Sequence, residues 1–361
     1  MWIESLTILN CRLLRDISVK LSPNINLIIG DNASGKTSFL EALNLLASGK
    51  SFRTSHIADV ISHGEKSILV SAKLNNDSEN TSIGIEKTTK SSKIRINHQD
   101  IYTQAQLSSY LPITAIHPDS VELISGSPHY RRAYLDWLTF YTVPSFHATW
   151  KEYKHILKQR NICLKNSRHR YALNDWTMKL AELQPVINKH RIDTLTRLKP
   201  ILKKVSSSLL ENISVNIELQ TGFPKDLEFD KNIIFDFYKS REEHDLRFQR
   251  TSSGVHRADL KITLNNKLAK ECGSRGQIKL LVISLLLAQS SSVNINNNSG
   301  ILFIDDLAAE LDHTNKEKLI NYIYSLNQQL FITSTKDIKL KKNQHKLFHV
   351  KHGDISEKQQ M

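Results

Sequence analysis

A short apolar strand, a glycine-containing loop and an apolar helix follow one another in residues 25–41, INLIIGDNASGKTSFLE. Gly30, Gly35, Lys36 and Thr37 match the G-x-x-x-x-G-K-[ST] pattern of a phosphate-binding loop. In such a loop the backbone N–H groups point inward, and the following helix presents unpaired N–H groups to the phosphates. A chance glycine turn would match the pattern in on the order of one per cent of chains. We therefore expect a nucleotide-binding α/β fold.

The predicted nucleotide contacts are the residues of this loop and of the helix start. They are Gly30, Asp31, Asn32, Ala33, Ser34, Gly35, Lys36, Thr37 and Ser38. We expect Lys36 to reach the β- and γ-phosphates and the Thr37 hydroxyl to hold Mg²⁺.

A second buried strand is predicted at 301–304, ILFI, and it ends in two carboxylates, Asp305 and Asp306. Because the carboxyl ends of parallel strands form the nucleotide crevice, we expect this strand to lie beside the strand of the phosphate loop. Asp305 would hold Mg²⁺, directly or through water, and Asp306 would accept a proton from the attacking water. The alternative interpretation is a helix cap after an ordinary core strand.

The residues Ser274, Arg275, Gly276 and Gln277 precede a strongly apolar helix, about 30 residues before the acidic strand. Serine and glycine at a helix N-terminus offer hydroxyl and N–H donors that suit a γ-phosphate. The pattern is weak when taken alone. Together with a phosphate loop and an acidic strand, it predicts a second nucleotide contact.

The charge balance favours a polyanionic partner. Lys and Arg number 49 against 36 Asp and Glu, which gives a formal charge of +13 and a pI near 9.5. Nucleic acid and an anionic membrane surface both fit this excess, and so does a basic protein without such a partner. The most apolar run, 280–288, is shorter than the roughly 20 residues of a membrane span. With three scattered cysteines and no signal-peptide pattern, we expect a cytoplasmic protein.

Residues 145–212 show a helical pattern of spaced apolar residues, with a break near 166–170. We expect two helices of about 30 residues that form a short antiparallel arm. Basic residues far outnumber acidic ones there, so we predict a DNA-facing surface, against the alternative of a solvated helical face. These residues are Lys151, Lys154, Lys158, Arg160, Lys165, Arg168, Arg170, Lys179, Lys189, Arg191, Arg197, Lys199, Lys203 and Lys204.

The motifs and their order resemble the ABC-type ATPase heads of SMC and RecF proteins, and the fuller set is similar to the RecF family of bacterial recombination mediators. The resemblance is carried by GDNASGKTSFLEALNLL (30–46), GKSFRTS (49–55), HPDSVELISGSPHYRRAYLD (117–136), TSSGVHRADL (251–260), SRGQIKLLV (274–282) and IDDLAAELD (304–312).

The resemblance implies an α/β, P-loop ABC-type ATPase head with a mixed sheet at 1–140 and 250–361, and an inserted, mainly helical arm at 141–249. It also implies a weak, DNA-stimulated ATPase that binds ATP and Mg²⁺ between two protomers. Ser274 of one protomer would close on the nucleotide held by residues 30–38 of the other.

The implied partners are double-stranded and gapped DNA, a second copy of the chain, and mediator proteins of the RecO and RecR type. RecF-like proteins act with these mediators at single-strand gaps and duplex junctions, where they help load the recombinase during repair and the SOS response.

Some residues depart from the family patterns. Asp306 stands where ABC ATPases usually carry Glu, and its shorter reach predicts slow hydrolysis. Residues 333–335, Thr-Ser-Thr, replace the switch histidine, so either His117 or Thr335 could sense the γ-phosphate. Ala258 stands where RecF proteins commonly carry Asp.

Rival functions remain open from the residues alone. A transporter-energising ABC cassette would carry the switch histidine and a glutamine loop. An SMC-like tether would carry a far longer heptad insertion, and an OLD-type nuclease would append a metal-carboxylate domain. The sequence lacks the part that each of these alternative functions would require.

Overall fold

In a computed structural model of the chain, the structure describes residues 1–76, 79–294, 300–306, 311–336, 338 and 345–358. The chain forms two compact units. We call Met1–Ser120 with Ile283–Met361 the loop unit, because it contains the phosphate loop, and Val121–Val282 the arm unit. The arm unit includes all of the predicted arm, 141–249, together with residues on both sides of it, among them 274–277.

In the described part of the loop unit, two sheets are accompanied by three helices and by the end of a further helix, α10 (Arg275–Asn294). Its strands are β1 (Trp2–Cys11), β2 (Leu14–Lys20), β3 (Ile25–Ile29), β4 (Ser67–Asn76), β5 (Glu79–Thr88), β6 (Ser92–Ile96), β7 (Gln99–Ile101), β8 (Ile113–Ile116), β12 (Ile301–Ile304), β13 (Leu330–Ser334), β14 (His345–Lys351) and β15 (Asp354–Lys358). Its helices are α1 (Lys36–Ser48), α2 (Gln104–Tyr110) and α11 (His313–Ile323).

One sheet of the loop unit is antiparallel, in the order β2-β1-β4-β5-β6-β7. Its strands alternate as half-buried strands do: Ile68, Val70 and Leu74 of β4 are buried, while the intervening side chains are more exposed. The short β-prone segments 67–74, 81–87 and 93–97 of the sequence, separated by polar turns, predict a hairpin-rich meander, and the antiparallel pairing of β4, β5 and β6 confirms it.

The second sheet has the order β15-β14-β3-β13-β12-β8, with β14, β3, β13, β12 and β8 parallel and β15 antiparallel at the edge. The prediction that the acidic strand lies beside the strand of the phosphate loop is wrong, because β13 lies between β3 and β12. Every residue of β13 is buried, and the Phe331 ring packs against the rings of Phe39 and Phe303. A strand buried on both faces takes a central place in the sheet.

Helix α1 packs on both sheets. It contacts β1 and β4 of the antiparallel sheet and β13 of the mixed sheet. Phe39, Leu43 and Leu46 are at most 1% exposed, and the helix is buried around most of its circumference. The first turn of α1 is therefore fixed in position at the carboxyl edge of the mixed sheet.

The arm unit is mainly helical. Its helices are α3 (Glu122–Ser125), α4 (Pro128–Thr142), α5 (Phe146–Lys165), α6 (Leu173–Leu209), α7 (Lys231–Ser240), α8 (Glu242–Phe248) and α9 (Ala269–Cys272), and β9 (Val215–Gln220), β10 (Asp259–Leu264) and β11 (Lys267–Leu268) form a small antiparallel sheet. A 3-10 turn at Ser167–Ala172 reverses the chain at the predicted break. The predicted lengths of about 30 residues each are wrong, because the two arm helices have 20 and 37 residues.

Helix α10 (Arg275–Asn294) contributes residues to both units. Its segment Arg275–Val293, with a mean hydropathy of 1.3, is long and apolar enough to cross a membrane. However, 67% of that segment is buried inside the protein, as in a core helix.

Candidate functional site

The phosphate loop joins β3 to α1 and depends on its two glycines. A side chain at Gly30 would place Cβ 2.3 Å from the carbonyl oxygen of Val350, and Gly35 has a φ of +118°, so neither position accepts a larger residue without strain. Gly35 is also the N-cap of α1, and no side chain caps this helix. The first N–H groups of α1 are therefore available to an anion.

The hydroxyl of Thr37 lies against the carboxylate of Asp305. Thr37 Oγ1 is 3.1 Å from Asp305 Oδ2 and 3.2 Å from Oδ1, although β13 separates their strands. Two oxygens bound side by side to one octahedral Mg²⁺ lie about 3 Å apart, so this pair fits that ion. The described residues contain no group of three or more His, Cys, Asp and Glu side chains arranged for a metal. A two-ligand site of this kind suits Mg²⁺, which takes its other ligands from water and phosphate.

Thr333, in β13, connects the two carboxylate residues. Its hydroxyl donates to Asp305 Oδ1 at 2.6 Å and accepts the backbone N–H of Asp306 at 2.8 Å. Thr333 is fully buried. The sequence had singled out 333–335 only as the replacement for a histidine, and the orienting role of Thr333 was not predicted.

Asp306 has a backbone φ of 52°, in the left-handed region that few non-glycine residues adopt. Its Oδ1 atom is buried and has no hydrogen-bond partner in the described part of the chain. A buried carboxylate oxygen without a partner is costly to the fold. This oxygen can accept a hydrogen bond from a bound water or ligand.

Lys36 is bent back over the loop. Its ammonium donates to the carbonyl oxygens of Gly30 and Asp31, both at 2.8 Å. Burial lowers the pKa of Lys36, and the negative charges of Asp306, Asp305 and Asp31 oppose that shift. The lysine charge thus lies within reach of both carboxylates and of any phosphate in the loop.

His117 follows β8, the strand paired with β12. Its ring stacks on Phe52 with 5.2 Å between ring centroids. Burial lowers the pKa of His117, against the charges of Asp119 and Asp305, so the ring is neutral at pH 7. His117 is close enough to Asp305 for that carboxylate to raise its pKa, so His117 stays a candidate phosphate sensor.

The segment 49–55 is tied to α1 through a buried carboxylate. Glu41 is fully buried and accepts hydrogen bonds from the Arg12 guanidinium and from the Ser51 hydroxyl. Phe52, which stacks on His117, lies in this segment. Neither Arg12 nor Glu41 was predicted as part of the site, because their pairing joins distant parts of the chain.

Ser274 and Gln277 form a capping box at the start of α10. Ser274 Oγ accepts the N–H of Gln277 at 3.3 Å, and Gln277 Oε1 accepts the N–H of Ser274 at 2.9 Å. The serine hydroxyl hydrogen is not used by this pair and can donate to a further acceptor. Ser274, Arg275 and Gly276 are exposed.

Gly276 is not required by the fold of the described residues. A Cβ added there would meet no described atom within 4 Å, and the residue does not have a positive φ. Glycine in a helix costs about 0.5–1 kcal/mol relative to alanine. A close approach by another molecule would explain why glycine is present.

Comparison with known proteins identifies the family. A family model described as the RecF/RecN/SMC N-terminal domain matches residues 2–358. The DNA replication and repair protein RecF of Psychromonas ingrahamii is 33% identical over 362 residues, which cover 99% of each chain. This chain belongs to the RecF family.

Solved structures agree on the fold. A structure of the recombination mediator RecF with ATP in the RecFOR pathway has a TM-score of 0.89 at 23% identity and covers 99% of this chain and 98% of its own. An SMC head bound to the winged-helix domain of ScpA has a TM-score of 0.61 at 16% identity and covers 99% and 97%. The predicted ABC-type ATPase head with a mixed sheet is confirmed.

The remaining RecF-family motifs fall in different places. In TSSGVHRADL, the Asp259 carboxylate pairs with Arg131, and Ala258, where the family commonly has Asp, is 1% exposed. In IDDLAAELD, Asp312 caps α11, while 307–310, which include Ala309 and Glu310, lie outside the described residues.

The predicted DNA-facing surface of the arm is wrong for Arg160 and Arg191. Both are fully buried: Arg160 pairs with Asp245 at 2.8 Å, and Arg191 pairs with Asp136 at 2.9 and 3.0 Å. The other twelve lysines and arginines of that set are exposed. The two buried arginines hold the arm unit together, and the exposed twelve remain candidates for DNA contact.

Proposed function

We propose that this chain is a DNA-binding ATPase of recombinational repair. It binds ATP and Mg²⁺, dimerises when ATP is bound, and holds duplex DNA at the edge of a single-strand gap so that a recombinase can be loaded. The observation that carries the proposal is the approach of Thr37 to Asp305 at the mouth of the phosphate loop, at 3.1 Å. RecF proteins that resemble the chain over its whole length support the setting in repair.

The phosphate loop and the two carboxylates have distinct roles in this reaction. The N–H groups that begin α1 and the Lys36 ammonium bind phosphate oxygens. Thr37 and Asp305 hold Mg²⁺, which neutralises phosphate charge when it is bound. Thr333 fixes the Asp305 carboxylate, and Asp306 accepts the proton of the attacking water.

The second half of the site comes from a second copy of the chain. The hydroxyl of Ser274 can donate to a γ-phosphate, and residues 274–276 are exposed at the start of α10. One chain has one phosphate loop and one such segment, so two copies complete two sites. Dimerisation is therefore coupled to ATP binding rather than to hydrolysis.

The DNA contact rests on charge. The formal charge of +13 and the twelve exposed basic residues of the arm favour a phosphate backbone. Mediators of the RecO and RecR type, acting in the cytoplasm, are the protein partners that fit membership in this family.

Sedimentation of the chain with and without a non-hydrolysable ATP analogue and Mg²⁺ tests the proposal. We expect a monomer without nucleotide and a dimer with it. Lys36→Ala removes the phosphate-binding ammonium and should remain a monomer, whereas Lys66→Ala, at an exposed lysine of the same unit, should dimerise like the wild type. A wild-type chain that binds the analogue but stays monomeric contradicts the proposal.

A further inference from the structure

Two aromatic rings of the arm unit are left in solvent. Tyr171, in the 3-10 turn between α5 and α6, is 84% exposed, and Phe248, the last residue of α8, is 50% exposed. These are the most exposed aromatic residues among those described in the arm unit. Aromatic side chains have a large apolar area, so two exposed rings near each other are candidates for contact with a ligand.

The two rings belong to the same end of the arm. Leu173, two residues after Tyr171, and Leu246, two residues before Phe248, both pack in one small cluster with Cys163 and Leu164. We call residues 165–172 and 246–250 the arm tip. The turn and the end of α8 are thus parts of one surface.

The scaffold beneath the arm tip is rigid. The Arg160 guanidinium donates to Asp245 at 2.8 Å and to the Thr251 hydroxyl at 2.7 Å, and all three side chains are buried. Asn161 accepts both the backbone N–H and the hydroxyl of Thr251, each at 2.8 Å. A buried ion pair contributes little net stability, but with its hydrogen bonds complete it fixes one geometry. It holds the end of α5 against α8.

The arm tip is also strongly basic. Its two segments, KNSRHRYA and LRFQR, contain five lysines and arginines and no acidic residue. All five are exposed: Lys165, Arg168, Arg170, Arg247 and Arg250. The guanidinium of Arg247 lies 5.9 Å from the centre of the Phe248 ring.

Exposed rings among cations match one kind of ligand. Single-stranded nucleic acid is bound by stacking unpaired bases on aromatic side chains while basic residues hold the phosphates. Bases within a duplex are already stacked on each other, so the rings add nothing to duplex binding. We propose that the arm tip binds the single-stranded DNA of a gap, with unpaired bases stacked on Tyr171 and Phe248. This inference rests on the proposed function and names the contact that distinguishes a gap from a plain duplex.

The test compares gapped and blunt duplex DNA that carry the same duplex sequence. The gapped DNA carries 2-aminopurine at unpaired positions, because its fluorescence is quenched when the base stacks on a ring. Loss of one stacked base should weaken binding by about tenfold. We therefore expect Tyr171→Ala and Phe248→Ala each to weaken gap binding about tenfold and to remove quenching, with duplex affinity within about twofold of wild type.

Two controls keep the result specific. Tyr171→Trp retains a stacking ring and should restore the gap preference. Tyr102→Ala removes a 92% exposed tyrosine from the loop unit and should change nothing. The inference is overturned if the double alanine variant keeps the gap preference, or if it loses gap and duplex binding equally. It is also overturned if only its binding to vesicles of anionic phospholipid falls. A wild type that binds no DNA at all refutes both this inference and the proposed function. A wild type that binds gapped and duplex DNA equally well refutes this inference alone.

Discussion

The Gly276→Ala variant tests whether glycine is required at this position by the fold or by contact with a partner. The new Cβ meets no described atom within 4 Å, so it adds helix stability without a clash. We expect a gain of about 0.5–1 kcal/mol in unfolding free energy and a rise of about 1–3 °C in melting temperature. If Gly276 faces the partner in the proposed ATP-bound dimer, the same methyl group enters a closely packed contact, where an added group costs about 1–3 kcal/mol.

The expected result is therefore a more stable monomer that dimerises more weakly. A cost of that size corresponds to a dimer dissociation constant about 5- to 150-fold higher. Thermal unfolding without nucleotide measures the first effect, and sedimentation with a non-hydrolysable ATP analogue and Mg²⁺ measures the second.

Two further variants calibrate the measurement. Ser274→Ala loses the capping box and should destabilise the monomer by about 1 kcal/mol while it also weakens the dimer. Gly84→Ala, whose Cβ would meet only ordinary contacts at 3.5 Å and beyond in the antiparallel sheet, should leave dimerisation unchanged. If Gly276→Ala dimerises as tightly as wild type, Gly276 does not face a partner and the reasoning is refuted.

Two other side chains give predictions of a different kind. Thr333→Val keeps the shape of the side chain but removes the hydroxyl that contacts Asp305 and the N–H of Asp306. We expect ATP hydrolysis to fall about tenfold or more in Thr333→Val, with little change in nucleotide binding, and Thr333→Ser to restore the rate. Equal hydrolysis rates in the two variants would exclude the orienting role of Thr333. Burial lowers the pKa of His256 from 6.5 to about 4, so the stability held by its neutral form is present above pH 6.5 and is lost as pH falls toward 4. We expect His256→Gln to lose about 2 kcal/mol less unfolding free energy than wild type between pH 7 and pH 5, as measured by urea denaturation; parallel pH curves would contradict this.

The phosphate loop was predictable because its pattern is local. Gly35 is needed because its φ is positive, and this requirement acts within a few residues of sequence. The acidic strand end was predictable for a related reason. An apolar run followed by Asp305 and Asp306 places carboxylates at the carboxyl edge of a parallel sheet whatever the strand order.

The strand order itself was not predictable from these patterns. The short buried strands β3, β12 and β13 have similar apolar sequence patterns. Only packing decides that Phe331 fills the space between Phe39 and Phe303. The role of Thr333 follows from that order, because a hydroxyl on the intervening strand reaches both acidic residues. The orienting role of Thr333 was therefore not predictable either.

The arginines of the arm show the same limit. Composition treats Arg160 and Arg168 alike, but one is buried against Asp245 and the other is exposed in the turn. An acidic partner 85 residues away decides between the two roles. The basic excess of the arm therefore predicted a polyanionic partner without identifying which cations are free to contact it.

In the loop unit, the positions of Asp305 and Asp306 both depend on Thr333, which is not acidic. Asp306 has a left-handed backbone and a carboxylate oxygen without a described partner, and its N–H is held by Thr333, which also holds Asp305. A shift of β13 would therefore move the proposed metal ligand, Asp305, and the proposed proton acceptor, Asp306, together. Because α1 also packs on β13, the phosphate loop and the acid pair share one support. Under the proposed function, ATP hydrolysis would then depend on the packing of β13.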